Sequence, residues 1–119
     1  MERLRQRADF LAAAKGARVS GDAFVLQALE RGDAGPPRFG FTVSKKVGNA
    51  VERNRVRRRL RDIVRRSDAL LPADAHDYVL IGRRAALTIP FERMMADFAG
   101  ALSRIHRKGR GRSAAKSRA

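Results

Sequence analysis

The segment over residues 53–66, RNRVRRRLRDIVRR, constrains the fold of this chain more than any other feature. It holds eight arginines in fourteen residues, while Val56, Leu60, Ile63 and Val64 supply its only apolar side chains. Their spacing of four, seven and eight residues places them in an arc of about 100° on an α-helix. The segment therefore predicts a helix that buries one face in a core and leaves a cationic face opposite.

The arginine face has a pattern that is unfavourable for an isolated helix. Like charges four residues apart repel by about 0.2–0.5 kcal/mol per pair, and phosphates would reverse that sign. Guanidinium groups can also bridge two phosphate oxygens or stack on an unpaired base, which suits folded RNA. A solvated charged surface is the alternative, but such surfaces usually mix both signs. The predicted stripe contains Asn54, Arg58, Arg61 and Arg65, with Arg55, Arg57 and Arg59 on its flanks.

Charge and composition point to the same class of partner. The chain of 119 residues carries a formal net charge of +15, which indicates a polyanion, and its 44% hydrophobic residues permit one packed core. It contains no cysteine, which excludes disulfides and a thiol nucleophile. No apolar run approaches the roughly 20 residues of a membrane span, and MERLRQRA does not resemble a secretion signal. We expect a cytoplasmic protein with no membrane partner.

Strand and helix patterns surround the basic helix. Residues 38–44 alternate, with Phe39, Phe41 and Val43 on one face and the other face open to a partner. Asn49 can cap the helix, Glu52 completes a capping box, and the helix should run to about Ala69. Residues 78–82 (YVLIG) form an interior strand. A strand, a helix and a strand with short connections predict a parallel pair.

The ends of the chain carry further elements. Residues 9–15 predict a short helix, and residues 18–29 predict a hairpin around Ser20-Gly21-Asp22. A last helix begins at Pro90, with its core stripe at Phe91, Met94, Met95, Phe98, Leu102 and Ile105. We expect one domain over residues 1–106 and a flexible basic tail over residues 107–119.

Catalytic constellations are weak in this sequence. His76 and His106 lie far apart with no metal-type spacing, so each is expected to be exposed or beside RNA. Glu52 is better used as a cap and Asp62 as a charge partner within its helix. No carboxylate cluster would hold two ions about 4 Å apart at a scissile phosphate. We expect no catalytic residue and no metal site on the protein.

The segment GFTVSKKVGNAVERNRVRRRLRD, residues 40–62, closely resembles the signature of the bacterial ribonuclease P protein family, and the triplet Arg53-Asn54-Arg55 is its characteristic element. The resemblance extends to Asp9-Phe10, to residues 24–26 and to residues 77–81. It implies an α+β fold, a two-layer α/β sandwich with a mixed four-stranded sheet in the order αβββαβα. It also implies a left-handed βαβ crossover, as in the second domain of a small-subunit ribosomal protein, although right-handed crossovers are the rule.

The resemblance also implies the function. Such a protein is the non-catalytic subunit of a ribonucleoprotein endonuclease, in which RNA hydrolyses the phosphodiester bond to give mature tRNA 5′ ends. Mg²⁺ is expected on the RNA subunit, no cofactor on the protein, one protein per RNA, and no DNA partner. The implied contacts to ribonuclease P RNA are Lys45, Lys46, Gly48, Arg53, Asn54, Arg55, Arg57, Arg58, Arg61 and Arg65.

A cleft between the first helix and the sheet is implied to receive the 5′ leader of precursor tRNA, with Phe10, Arg38 and Thr42 as contacts. Single-stranded nucleotides stack on aromatic rings in basic grooves. Ordinary core packing of Phe10 is an equal alternative. Ala14 and Gln27 stand where some relatives have further aromatics, so leader contacts here should be thinner or more polar.

Two other classes of function use the same helix. A structural ribosome-associated protein would use it as a phosphate clamp, and the RNA that copurifies would distinguish that case. A helix-turn-helix DNA regulator needs a tight helix pair, whereas the predicted basic helix lies between strands.

Overall fold

A five-stranded mixed sheet organises the computed structural model, which describes residues 2–33, 35–71 and 75–118, with side chains described as far as Arg107. The strands lie in the order β1-β4-β5-β3-β2. The strands are β1 (Glu2–Arg3), β2 (Ala17–Ser20), β3 (Phe24–Glu30), β4 (Arg38–Thr42) and β5 (His76–Gly82), and the helices are α1 (Arg7–Ala13), α2 (Ala50–Arg66) and α3 (Phe91–Arg118).

The pairing of the strands confirms the predicted mixed sheet. β2 and β3 form the antiparallel hairpin, and β3 continues antiparallel to β5. β4 pairs in parallel with β5, with Arg38 opposite Asp77 and Thr42 opposite Ile81. α2 is thus the crossover between two adjacent parallel strands, as its sequence position predicts. The left hand of that crossover stays a prediction.

The sheet has one strand more than the four that were expected. Glu2 and Arg3 form β1, which pairs in parallel with β4, and the backbone N–H of Leu4 donates to the carbonyl of Phe39 at 2.9 Å. A two-residue strand leaves no periodic signal in the sequence. It forms because Leu4, which is 6% exposed, is buried at the sheet edge.

Helices cover the two faces of the sheet unequally. α2 packs on β4 and β5 and contacts α3, which packs on β2 and β3. The main core lies on that face, and Phe24 meets Phe98 edge to face with ring centroids 6.1 Å apart. On the other face, α1 packs over a small cluster that contains Leu4, Ala13 and Val79. This short helix forms a partial third layer, which the description as a two-layer sandwich does not include.

Two helix ends differ from the prediction. α2 ends at Arg66, not near Ala69. The N–H of Ser67 donates to the carbonyls of Ile63 and Val64, and a 3-10 turn over Asp68–Leu70 follows. α3 continues to Arg118, through residues that were predicted to form a flexible tail. Side chains of residues 108–119 lie outside the described part of the chain. The division into residues 1–106 and a tail of residues 107–119 therefore stays a prediction.

The two histidines were each expected to be exposed or beside RNA, and neither is exposed. His76 and His106 are half-buried, and their rings lie 5.0 Å apart between centroids. His106 Nε2 and the hydroxyl of the buried Tyr78 lie 2.8 Å apart. β5 and α3 bring these residues together across the fold, which their distance in sequence conceals. They pack the end of the core.

Candidate nucleic-acid interface

A complete capping box fixes the start of α2. The side chain of Asn49 accepts from the N–H of Glu52 at 2.9 Å, and the Glu52 carboxylate accepts from the N–H of Asn49 at 3.0 Å. Both bonds satisfy backbone donors that the first helical turn leaves unpaired. The local sequence therefore determines where the basic helix begins, and this prediction is confirmed.

An arginine from a distant turn braces the loop before α2. Arg84 donates to the carbonyl of Val47 at 2.6 Å and forms an ion pair with Glu52 at 3.1 Å. The N–H of Asn49 and then Arg84 lower the pKa of Glu52, so its carboxylate stays ionised. A Cβ at Gly48 would lie 2.4 Å from that carboxylate. A larger residue here would have to displace the capping carboxylate. Lys45 and Lys46 lie exposed just before this turn.

The contact of Arg84 with the loop before α2 was not predicted from the sequence. This residue follows β5, in a 3-10 turn over Arg84–Leu87, and nothing in its immediate sequence pairs it with a loop 37 residues earlier.

The face of α2 opposite the core carries the predicted stripe. Val56, Leu60, Ile63 and Val64 are at most 1% exposed, which confirms the apolar arc. Among the described residues, none of the ion pairs involves an arginine of α2, and Asp62 forms none either. The expected role of Asp62 as a charge partner is therefore not seen. Asn54, Arg55, Arg58 and Arg65 are exposed, and Arg53, Arg57 and Arg61 are half-buried.

Several arginines of this segment are directed toward the rest of the protein. Arg59 donates to the carbonyl of Ile89 and contacts the sulfur of Met94 at 3.3 Å, so it joins α2 to α3. Arg66 lies over the ring of Phe91, 5.1 Å from its centroid. Arg53 turns toward the protein, where its Nε is buried. The cationic surface is consequently narrower than the number of arginines suggests.

The predicted leader contacts lie on the α1 face of the sheet. The ring of Phe10 covers Gly40, where an added Cβ would lie 2.3 Å from Cε1, so Phe10 packs against the sheet. Thr42 is exposed two residues further along β4. Ala14 is exposed and Gln27 is 5% exposed, and neither side chain is aromatic.

Arg38 is committed to an ion-pair network. Its guanidinium donates to both carboxylate oxygens of Asp77, at 2.8 and 2.7 Å, and lies 3.6 Å from Asp9. Arg31 donates to Asp77 at 2.9 Å. Burial raises the pKa of Asp77, but the two arginines outweigh it and hold the pKa below its usual value. Arg38 therefore links β4 to β5 through Asp77, and its contact with the leader stays a prediction.

The described residues contain no helix with the length and apolar character of a membrane span. Within the same part of the chain, no three histidine or acidic side chains are placed to share a metal ion. What the fold presents is an amphipathic helix with a cationic outer face, a braced lysine loop at its start and a second face of the sheet that α1 partly covers. These features define a protein of the RNA-binding α+β class.

Comparison with known families narrows that class to one. The family model described as Ribonuclease P matches residues 1–106. The chain belongs to the ribonuclease P protein family, whose members are subunits of the ribonucleoprotein enzyme that processes tRNA 5′ ends.

Relatives and solved structures agree with this assignment. The ribonuclease P protein component of Gluconacetobacter diazotrophicus is 46% identical over 108 residues, which cover 90% of this chain and 93% of that protein. That of Brucella suis is 40% identical, over 98% of this chain and 86% of its own. The ribonuclease P protein structure from Thermotoga maritima matches with a TM-score of 0.75 and 31% identity, over 88% of this chain and 98% of that one. The α+β fold class is thereby confirmed.

Proposed function

We propose that α2 and the lysine loop before it bind ribonuclease P RNA, and that the cleft under α1 receives the 5′ leader of precursor tRNA. The observation that carries the proposal is the outward-facing stripe of α2, whose arginines have no acidic partner among the described residues. Phosphates would supply the missing counter-charge, and each contact would release condensed cations from the RNA.

In this proposal the protein contributes binding and the RNA contributes chemistry. Hydrolysis of a phosphodiester needs a stabilised nucleophile and a stabilised leaving oxygen, which two metal ions commonly supply. We propose that Mg²⁺ held by the RNA subunit supplies both. The protein would lower the repulsion between the leader and the RNA, one protein per RNA, in the cytoplasm where precursor tRNA is made.

Phe10 and Thr42 are the protein groups that would contact the leader in this scheme. An unpaired base can stack on the exposed part of the Phe10 ring, and the Thr42 hydroxyl can donate to a phosphate or a 2′-OH. With Ala14 and Gln27 at the other cleft positions, stacking would be limited to one ring.

Cleavage of precursor tRNA in a reconstituted system tests the division of labour. The protein, freed of all RNA, should cut nothing, and the complex with its cognate RNA should release the leader at the mature 5′ end. A matched substrate that carries no leader should lose the part of the affinity that depends on Phe10. Cleavage at the mature end by the RNA-free protein would refute the proposal.

A further inference from the structure

The segment Glu2–Arg7, called the basic arm below, is a second cationic surface outside α2. Arg3, Arg5 and Arg7 are exposed. Among the described residues, none of them takes part in an ion pair with an acidic side chain. Three like charges within five residues repel one another, so charge does not hold these arginines in place.

The arm is nevertheless held in place. β1 pairs with the first residues of β4, and the side chain of Leu4 lies in the cluster under α1 with Ala13 and Val79. Leu4 Cδ1 also lies 3.2 Å from where a Cβ of Gly40 would be. A segment with this composition would ordinarily be disordered, because it cannot bury enough apolar surface. Here one leucine and a strand pairing fix the positions of three arginines.

The topology places the arm beside α2. In the sheet order, β1 is the edge strand next to β4, and α2 packs over β4 and β5. β4 begins beside the arm and runs away from it, and α2 then runs back in the opposite direction toward the start of β5. The second half of α2 therefore lies level with the first residues of β4 and β5. That is where β1 pairs, with Glu2 opposite Arg38 and Arg3 opposite Phe39.

The direction of Arg3 agrees with this placement. Neighbouring side chains on an extended backbone point to opposite faces of the sheet. Leu4 lies on the α1 face, so Arg3 projects toward the face that carries α2. Arg3 thus extends the basic surface around the edge of the sheet, on the face that carries the second half of α2.

We infer that the basic arm is a second RNA-binding element, which contacts the phosphate backbone of the same structured RNA that α2 binds. The inference rests on the proposed function of α2 and adds an edge to its footprint. The chemistry is phosphate recognition by guanidinium groups, which positions the RNA without reading its sequence. Because the arm is anchored, RNA binding does not have to order it first.

The salt dependence of affinity for the cognate ribonuclease P RNA tests this inference. Removing one phosphate contact lowers the slope of log affinity against log salt by roughly 0.9. The double variant R3A/R5A should weaken binding and lower that slope by about one to two units. The matched control is R104A/R107A, which removes two exposed arginines from α3, the helix that packs on β2 and β3, toward the opposite edge of the sheet from β1. Its slope should stay at the wild-type value.

Two further variants separate the possible failures. R58A/R61A tests α2 alone. If it lowers the salt slope while R3A/R5A behaves like the control, the inferred RNA-binding role of the arm is refuted and the proposed function of α2 stands. If R58A/R61A also leaves the slope unchanged, the proposed interface fails too. L4A keeps every charge but releases the anchor, so it should weaken RNA binding while circular dichroism shows a folded protein. Wild-type affinity in a folded L4A would overturn the requirement for a fixed arm.

Discussion

Asp77 shows how a single charge is kept inside this fold. The residue is 2% exposed, and its carboxylate accepts hydrogen bonds from Arg31 and Arg38. A buried carboxylate without partners would be too costly to keep ionised, whereas two guanidinium groups compensate the lost hydration. The residue joins β5 to β4 and to the loop after β3.

Replacing Asp77 by Asn should destabilise the protein by about 2–3 kcal/mol. The change keeps the shape of the side chain but leaves two arginines without a counter-charge, and the loss is below that of a fully buried pair because both reach solvent. Urea denaturation followed by circular dichroism measures it. D33N is the matched control, since Asp33 pairs with Arg31 at the surface, and its effect should be small. Equal midpoints for D77N and D33N would contradict this account.

The same carboxylate makes stability depend on pH on the acid side. Because the folded pKa of Asp77 lies below its usual value, its ion pairs contribute fully above the unfolded pKa of about 4. That contribution is lost as pH falls from there through the folded pKa. We therefore measure the urea midpoint from about pH 6 downward. Below about pH 4, the midpoint of the wild type should decrease more steeply with falling pH than that of D77N. Parallel curves for the two proteins would contradict the assignment.

Gly40 marks the closest approach between the sheet and α1. An added methyl would lie 2.3 Å from Phe10, so G40A should displace that ring and destabilise the protein by about 1–3 kcal/mol. G100A is the control, because nothing lies within 4 Å of the added methyl on α3, and it should stabilise the helix by about 0.5–1 kcal/mol. Thermal melts compare the two, and a neutral G40A would show that Phe10 moves freely.

At the scale of single residues, the sequence predicted correctly which face of a strand a side chain occupies, but it did not predict which residue that side chain contacts. Alternation placed Arg38 and Thr42 on one face of β4, as observed. It could not reveal that Arg38 is bound by Asp77, because that contact depends on the register of two strands whose facing residues are 39 positions apart. Phe10 was equally open between packing and ligand contact, and its position over Gly40 shows that packing is at least one of its roles.

Among the elements, α2 was the most predictable. Its cap, apolar arc and charged stripe are all encoded within 18 consecutive residues, Asn49 to Arg66, and each depends on helical geometry alone. β1 was missed because two residues acquire their structure only from the edge of β4. The inward turn of Arg59 was missed because it depends on where α3 packs.

Removing Arg58 and Arg61 tests the role assigned to α2. R58A/R61A should weaken RNA binding and lower the salt slope by roughly one unit for every phosphate that the helix no longer contacts. Its thermal midpoint should not fall, because both changes relieve repulsion on the outer face and alanine favours helix. R59A is the contrasting variant, since Arg59 bonds to Ile89 and should matter for stability. An unchanged slope in R58A/R61A would remove this stripe from the interface.

Across the whole molecule, the sequence predicted the parallel pairing of β4 with β5 and the helix between them, because short connections leave few topologies. It did not predict the division of the core. Leu80 faces α2 and α3, whereas its neighbour Val79 faces α1, so β5 is buried on both sides. A continuous apolar run indicates a strand that is buried on both faces, but it does not predict which helix covers each face.

The formal net charge of +15 gives a last prediction, in which salt acts with opposite signs on folding and on RNA binding. Raising NaCl from low ionic strength to about 0.15 M shortens the Debye length to about 8 Å and screens the repulsion among the exposed arginines, so the thermal midpoint of the free protein should rise. The affinity for RNA should fall over the same range, because counterion release yields less free energy. R58A/R61A, with two fewer charges, should show a smaller rise in midpoint. A midpoint that falls with salt would mean that ion pairs such as Arg38 with Asp77 outweigh the self-repulsion of the cationic surface.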